Sequence, residues 1–461
     1  MATTQLESTN LQRSLHVPGL VAHYITSVIG VGVLILPGHA AAAAGPLSLA
    51  AWALLTLYSY PLALIFARLS VRHPTSRGIA EFIEDAFGPR AADLVAALLM
   101  LALIIANPVL GLAAARYLLN IWDATPGIPQ IVLIGYLIMV GSILFNLLGL
   151  KVSSRVQTGV LTTLIGFLVI VIVIATPEAE AANLDPFAPH GWLALGQAII
   201  ICFFGFLGWE NAAPVAEEVV DPHRTFPRAI LLATFGVGAL YLAMAVTIIL
   251  VLPPGAGEGK RITAFATLLQ VASGREMSQV GNVVAIVLLL LATNAWVLGT
   301  SRVVFSSARE GMLPAVLTKV SRGVPYGALL FLIPGYGVPV GLLALTRSSE
   351  MWLITATSAT FLLTILATFL AAHRLLEGRA IRRCNILLIV VTACILPFFG
   401  ISLGYAAALI IIAYVLTVPR NKRRRRTGAK RRAGLKNESP TVHPDRPPAG
   451  ITAMPRRTNG A

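Results

Sequence analysis

The chain has 461 residues, 56% of them hydrophobic and only 12% charged, where an ordinary soluble domain carries about 25% charged residues. With a mean hydropathy of +0.80, this balance excludes a soluble enzyme held by a single anchor. The net charge of +15 is concentrated at one end: residues Arg420 to Ala461 hold thirteen Lys/Arg against Glu438 and Asp445, which leaves +4 for everything before them.

Apolar runs long enough to cross about 30 Å of hydrocarbon fall at 18–44, 47–70, 92–119, 130–150, 156–176, 192–216, 228–252, 280–303, 326–345, 350–371, 384–400 and 402–419. The first has the outline of a secretory leader, with Arg13 ahead of it and the small residues Ala40 to Ala44 near its end. Gly30, Gly32 and Pro37 interrupt the apolar centre that a leader requires, so it is read as a span. The fold class expected is an all-α integral membrane protein with twelve transmembrane helices and both termini on one side. With the N-terminus inside, the inner segments carry 17 Lys/Arg before the tail, and the outer ones carry 5: Arg116, Lys260, Arg261, Arg275 and Arg347. That asymmetry satisfies the positive-inside rule. Arg116, near the outer end of its span, is expected to snorkel.

Two connections between spans have patterns of their own. Residues 71–91 include Ile79, Phe82, Ile83 and Phe87 at helical spacing, which predicts a short amphipathic helix on the inner side. Residues 253–279 open with Pro253-Pro254-Gly255 and contain the apolar Ile262 to Ala272, which fits either a helix lying on the outer mouth or a solvated loop. Residues 420–461 have no periodicity and are expected to be disordered. The run Arg420 to Arg426 directly follows the last span and suits anionic lipid headgroups. It has no interleaved aromatic residues, so nucleic acid is not an expected partner. Cys202, Cys384 and Cys394 lie in apolar stretches without metal-ligand spacing and read as small buried side chains. No P-loop, zinc motif or nucleophile elbow is present, so no cofactor, metal or catalytic residue is assigned.

The most informative pattern is a pair of interrupted spans. The first reads His23 to Pro37 through Ser27, Ile29, Gly30, Val31 and Gly32. The second reads Cys202 to Pro214 through Phe204, Gly205, Phe206, Leu207, Gly208 and Trp209. Each is apolar, passes two close glycines and meets a proline about two turns later. A break at mid-membrane depth exposes N–H and C=O groups that lipid cannot satisfy, so it survives only beside a cavity or a bound solute. Two breaks in matching halves point to the substrate site of a secondary transporter. Loose N–H groups around Gly30-Val31-Gly32 suit a carboxylate, and freed carbonyls between Gly205 and Gly208 suit an ammonium group. The other reading of these glycines is close helix packing of the small-xxx-small kind.

Glu210, two residues past the second break, is an intramembrane carboxyl. It is either a proton-responsive group whose pKa burial would raise or a carboxyl capping the resumed helix. Phe203, Phe204, Phe206 and Trp209 crowd the same break, where one or two could close over a solute. His23, Asn107 and Asn294 read as interhelical hydrogen-bonding residues.

These segments resemble the amino acid–polyamine–organocation (APC) superfamily. Three patches carry the likeness: Ile29 to Pro37; Phe204 to Glu210 with Ala216 to Ala229; and Ser306 to Pro314. Within the superfamily the chain looks most like the bacterial exporters of neutral amino acids, of the methionine and branched-chain type. The resemblance implies a LeuT-like arrangement of five helices and an inverted repeat of five, with spans one and six discontinuous. It divides the chain into a tail at 1–17, repeats at 18–176 and 192–371, two further spans at 384–419 and the basic tail at 420–461. By matched position, Ser27 to Gly32 would border the substrate's carboxylate and Phe204 to Gly208 its amino group. Phe204 would stand at an aromatic gate, and Glu210 would be the acidic residue beyond the break.

The chain also departs from its relatives. Span 156–176 has no lysine, which some proton-coupled relatives place there, and Val31 stands where many have serine. The binding region has no acidic group apart from Glu210, which favours a neutral, apolar amino acid. The resemblance thus implies a carrier in the bacterial cytoplasmic membrane, driven by the proton motive force and with both termini cytoplasmic. Export by proton antiport is the first expectation and proton-coupled uptake the second. A non-transporting amino-acid sensor of the same fold is the third.

Overall fold

The structure, a computed structural model, describes residues 15–29, 32–72, 78–122, 127–149, 154–209, 219–253, 255–321, 323–400 and 402–418. The chain divides into a body, Met1–Thr417, and a tail, Val418–Ala461. The basic run and the disorder expected of residues 420–461 lie outside the described residues. The described body is helical, in this order: α1 (Val17–Val28), α2 (Gly32–Ala44), α3 (Ser48–Arg72), α4 (Ile79–Phe87), α5 (Pro89–Ala106), α6 (Pro108–Asn120), α7 (Ile128–Leu147), α8 (Ser154–Ala175) and α9 (Ala194–Gly205). There follow α10 (Pro222–Val251), α11 (Glu258–Ile262), α12 (Ala264–Ser273), α13 (Arg275–Arg309), α14 (Tyr326–Thr346), α15 (Met351–Leu375), α16 (Arg379–Ile395) and α17 (Ser402–Val418). Among the described residues, extended pairing is confined to the isolated bridges Leu15–Val219 and Ser321–Val324. In the first of these the Val220 N–H donates to the Leu15 carbonyl at 3.0 Å, which joins the residues ahead of α1 to those ahead of α10.

Among the described residues, eight helical stretches are long and apolar enough to cross a membrane by length and composition. Some of them turn apolar faces outward. α7 exposes Leu133, Leu137 and Leu144, and α14 exposes Leu330, Val338, Leu342 and Leu345. A helix satisfies its own backbone and can therefore present such a face to hydrocarbon. α15 is the most interior of the long helices, packed by α4, α5, α9 and α16.

The span at 92–119 is one stretch interrupted at a proline. Pro108 has no N–H to continue the ladder, so α5 stops at Ala106 and α6 begins at Pro108. Asn107, buried at this joint, donates from Nδ2 to Thr300 Oγ1 at 2.7 Å and to the Tyr336 hydroxyl at 2.6 Å. Asn146 of α7 donates to Asn294 Oδ1 of α13 at 2.7 Å. Both asparagines singled out in the sequence thus join helices through hydrogen bonds.

The connection at 71–91 forms α4, which buries Ile79, Phe82 and Ile83. Phe87 stays exposed beneath the Arg374 guanidinium, 4.4 Å from its ring centroid. The connection at 253–279 forms α11 and α12, and Ala264 to Leu269 are buried against α13, α8 and α2. The segment is therefore helical, with 261–269 in the core and Lys260, Gln270, Val271 and Ser273 to Glu276 exposed. Of the three cysteines only Cys202 is buried; Cys394 is exposed on α16.

Arg116 does not snorkel. It pairs through Nε with Glu350 Oε1 and donates from Nη2 to Glu350 Oε2 at 2.7 Å. Glu350 is only 3% exposed and stands at the N-terminus of α15, where the helix dipole favours a carboxylate. His39 of α2 approaches the same carboxylate, Nε2 lying 3.5 Å from Oε1. The group ties α2, α6 and α15 together. Glu350→Ala would leave the Arg116 charge buried and alone, a loss of about 3–5 kcal/mol. We expect a clear fall in the melting temperature of the detergent-purified protein. Arg116→Leu combined with Glu350→Leu should be milder than Glu350→Ala alone.

Candidate functional site

Both glycine-rich segments are broken. α1 ends at Val28, and Ile29 leaves the helical region at φ −74° and ψ 53°. α2 resumes at Gly32, with Gly30 and Val31 outside the described residues. α9 ends at Gly205, after which Phe206 and Leu207 donate back to the Phe203 and Phe204 carbonyls at 3.0 and 3.4 Å. Gly208 then takes φ +120°, a conformation side-chain-bearing residues rarely adopt. Glu210, and with it the position read as a proton or capping group, lies outside the described residues.

The two breaks meet. A Cβ on Gly208 would lie 2.5 Å from the Ser27 carbonyl oxygen, and one on Gly32 would lie 3.6 Å from Gly205 Cα. At Gly208 only glycine allows the backbones this close, and Gly32 packs in contact with Gly205, so the break on α9 seats against the end of α1 and the start of α2. Tyr241 of α10 reaches the same point, and its hydroxyl donates to the Gly205 carbonyl at 3.1 Å. One carbonyl that the sequence offered to an ammonium group therefore already holds a donor.

Aromatic rings enclose this junction. Trp52 of α3 stacks on Tyr241 with centroids 4.6 Å apart and planes at 13°. Phe206 lies 5.9 Å from Trp52 and 5.6 Å from Tyr241. On the α1 side, Tyr24 lies 5.5 Å from Trp209. Among the described residues, the Tyr24 hydroxyl and the indole N–H groups of Trp52 and Trp209 are buried without a hydrogen-bond partner. Unpartnered donors of this kind suit a ligand with acceptor oxygens, because burying them alone is unfavourable by about 1–3 kcal/mol each.

Of the residues read from sequence, Ser27, Gly32, Gly205 and Gly208 share the junction, and Phe206 stands beside it. Leu207 is buried next to them, and Phe204 is half-buried on α9. Ile29 is buried but also borders an apolar groove with Ile25, Ile165 and Val169. Tyr24, Trp52 and Tyr241 were not singled out from sequence. The available signal was a ring with a polar atom inside an apolar span, where that atom requires a partner. Only the fold brings Trp52 and Tyr241 to the breaks.

Gly208→Ala should be severe, since it combines a strained φ with a backbone clash; roughly 1–3 kcal/mol is expected from the strain alone. Gly141→Ala on α7 meets nothing within 4 Å and should not lower the melting temperature. Tyr241→Phe removes the partner of the Gly205 carbonyl and should destabilise by about 1–3 kcal/mol. All three are read by thermal unfolding in detergent.

Residues 15–424 match the family model described as amino acid permease. An amino acid permease of uncharacterized function from Bacillus subtilis, YecA, is 31% identical over 88% of this chain and 95% of its own length. The L-methionine/branched-chain amino acid exporter YjeH of Escherichia coli is 27% identical over 77% of this chain and 84% of its own. The branched-chain amino acid permease BcaP of Bacillus subtilis is 24% identical over 70% of this chain and 73% of its own. A match of this length, on a chain whose two broken helices meet inside an apolar helical body, places the protein in the amino acid permease family of the APC superfamily.

Proposed function

We propose that the protein is a secondary active transporter of neutral, hydrophobic L-amino acids that works by alternating access and exports them by proton antiport. The observation that carries the reading is the junction of the two breaks, Ser27 against Gly208 and Gly32 against Gly205. Backbone groups released there serve a zwitterion without charged side chains, the carboxylate near the α1–α2 break and the ammonium near the end of α9. The enclosing side chains Tyr24, Trp52, Phe206, Trp209 and Tyr241 carry no formal charge. A cationic or anionic substrate side chain would be left unpaired among them, whereas leucine or methionine would not.

In this reading the half-helices flanking each break are the moving parts, and the packed glycines belong to a closed arrangement. Twelve crossings in a five-plus-five inverted repeat, with both termini in the cytoplasm of a bacterium, agree with the loop charges. The name of the E. coli relative favours export. Uptake by proton symport is the second reading, supported by the name of the branched-chain permease.

Glu210 is proposed as the proton-responsive group, from its place two residues beyond Gly208. The test is movement of labelled leucine and methionine in proteoliposomes under an imposed pH gradient. Wild type should move both against their gradients, with a rate that follows the pH difference. Gly32→Leu should lower flux at least tenfold with insertion intact. Glu210→Gln should flatten the pH dependence, and an unchanged profile would reduce that residue to a structural role.

A further inference from the structure

At the end of α2 away from the break lies a cavity of about 460 Å³, within the range of roughly 300–1,000 Å³ usual for small-molecule sites. Its walls come from α2, the segment 183–190, the end of α10, α11 and Met351. The polar groups on those walls are His39, Asn183, His190 and Arg261, and among the described residues no carboxylate lines it.

Arg261 is the unusual member. It is 7% exposed, yet its guanidinium has no ion-pair partner among the described residues. Nη2 donates to the Pro253 carbonyl at 3.0 Å, and Nη1 is buried with no partner. The nearby carboxylate, Glu350, is already taken by Arg116 and approached by His39. Burial pulls the Arg261 pKa below its ordinary value, as expected for an uncompensated charge out of water. A buried guanidinium in this state calls for an anion with a planar pair of acceptors, which a carboxylate supplies.

The geometry points to an anion station at the far end of α2, in which Arg261 holds the carboxylate of a small organic acid. The cavity volume suits a solute of amino-acid size better than a halide ion. That the carboxylate belongs to the transported amino acid rests on the function proposed above; the station itself does not. It is also seated on the helix that begins at the first break, because a Cβ on Gly38 would lie 1.7 Å from the Arg261 carbonyl oxygen. Occupancy at Arg261 therefore bears on α2 directly, about 9 Å along the helix from Gly32 at 1.5 Å per residue.

The test uses the full-length protein in detergent, with thermal unfolding followed at rising sodium 4-methylpentanoate, which is the leucine skeleton without its ammonium group. Sodium chloride at matched ionic strength is the control, and L-leucine is titrated in parallel. The wild type should be stabilised by 4-methylpentanoate and not by chloride. Arg261→Gln should raise the half-saturating concentration at least tenfold. Ala42→Trp keeps the guanidinium but fills the cavity; it should show the same loss and decides the matter if Arg261→Gln does not fold.

An equal shift with chloride, or unchanged half-saturation in the folded variants, overturns the station. A carboxylate effect that depends on Arg261, without any binding or flux of leucine, upholds the station and overturns its assignment to a transported amino acid. Normal leucine flux with no carboxylate effect overturns the station and leaves the proposed function standing.

Discussion

Hydrocarbon offers no hydrogen bonds, and this molecule is organised around the two places where its helices would need them. A backbone interrupted between Val28 and Gly32, and again after Gly205, releases groups that must find partners within the protein. The fold answers by bringing the interruptions together. Tightened turns take the Phe203 and Phe204 carbonyls, Tyr241 takes that of Gly205, and the glycine at 208 lets the chain pass within contact of Ser27. α3 and α10 are placed by the same need, since Trp52 and Tyr241 stack against each other beside Phe206.

Some of the polar and charged residues in the interior are held by another helix. Asn107 and Asn146 tie α5, α7, α13 and α14, while Glu350 gathers Arg116 and His39 from α6 and α2. α2 is therefore constrained at both ends, by the breaks at its start and by the ionic group and α11 near its finish.

Much of this was legible in the residues. The apolar runs, the glycine pairs at 30–32 and 205–208, and the amphipathic spacing of Ile79, Phe82 and Ile83 all predict features that α1, α2, α4 and α9 display. What was not legible depended on contacts between distant segments. Arg116 near the end of an apolar run reads as a snorkelling cation, because nothing local reveals a carboxylate 234 residues later. Glu350 is the first residue of the span at 350–371, and nothing local marks it as the partner of an arginine. Ile262 to Ala272 is too short to be told apart as surface or core by periodicity, and the burial of Ala264 to Leu269 follows from packing against α13 and α8. Trp52 and Tyr241 are ordinary aromatics until α3 and α10 are laid side by side.

The backbone pairing of Leu15 with Val219 and Val220 has an effect on how this region tolerates change. Amide-to-carbonyl bonding is indifferent to side-chain identity, so the clasp between the two helix entrances does not itself depend on which side chains flank it. An alanine scan would report the burial of the Val219 side chain and not the backbone bond. Only a proline at position 220, which has no N–H to offer, or excision of the residues ahead of α1 would unfasten the two entrances from each other.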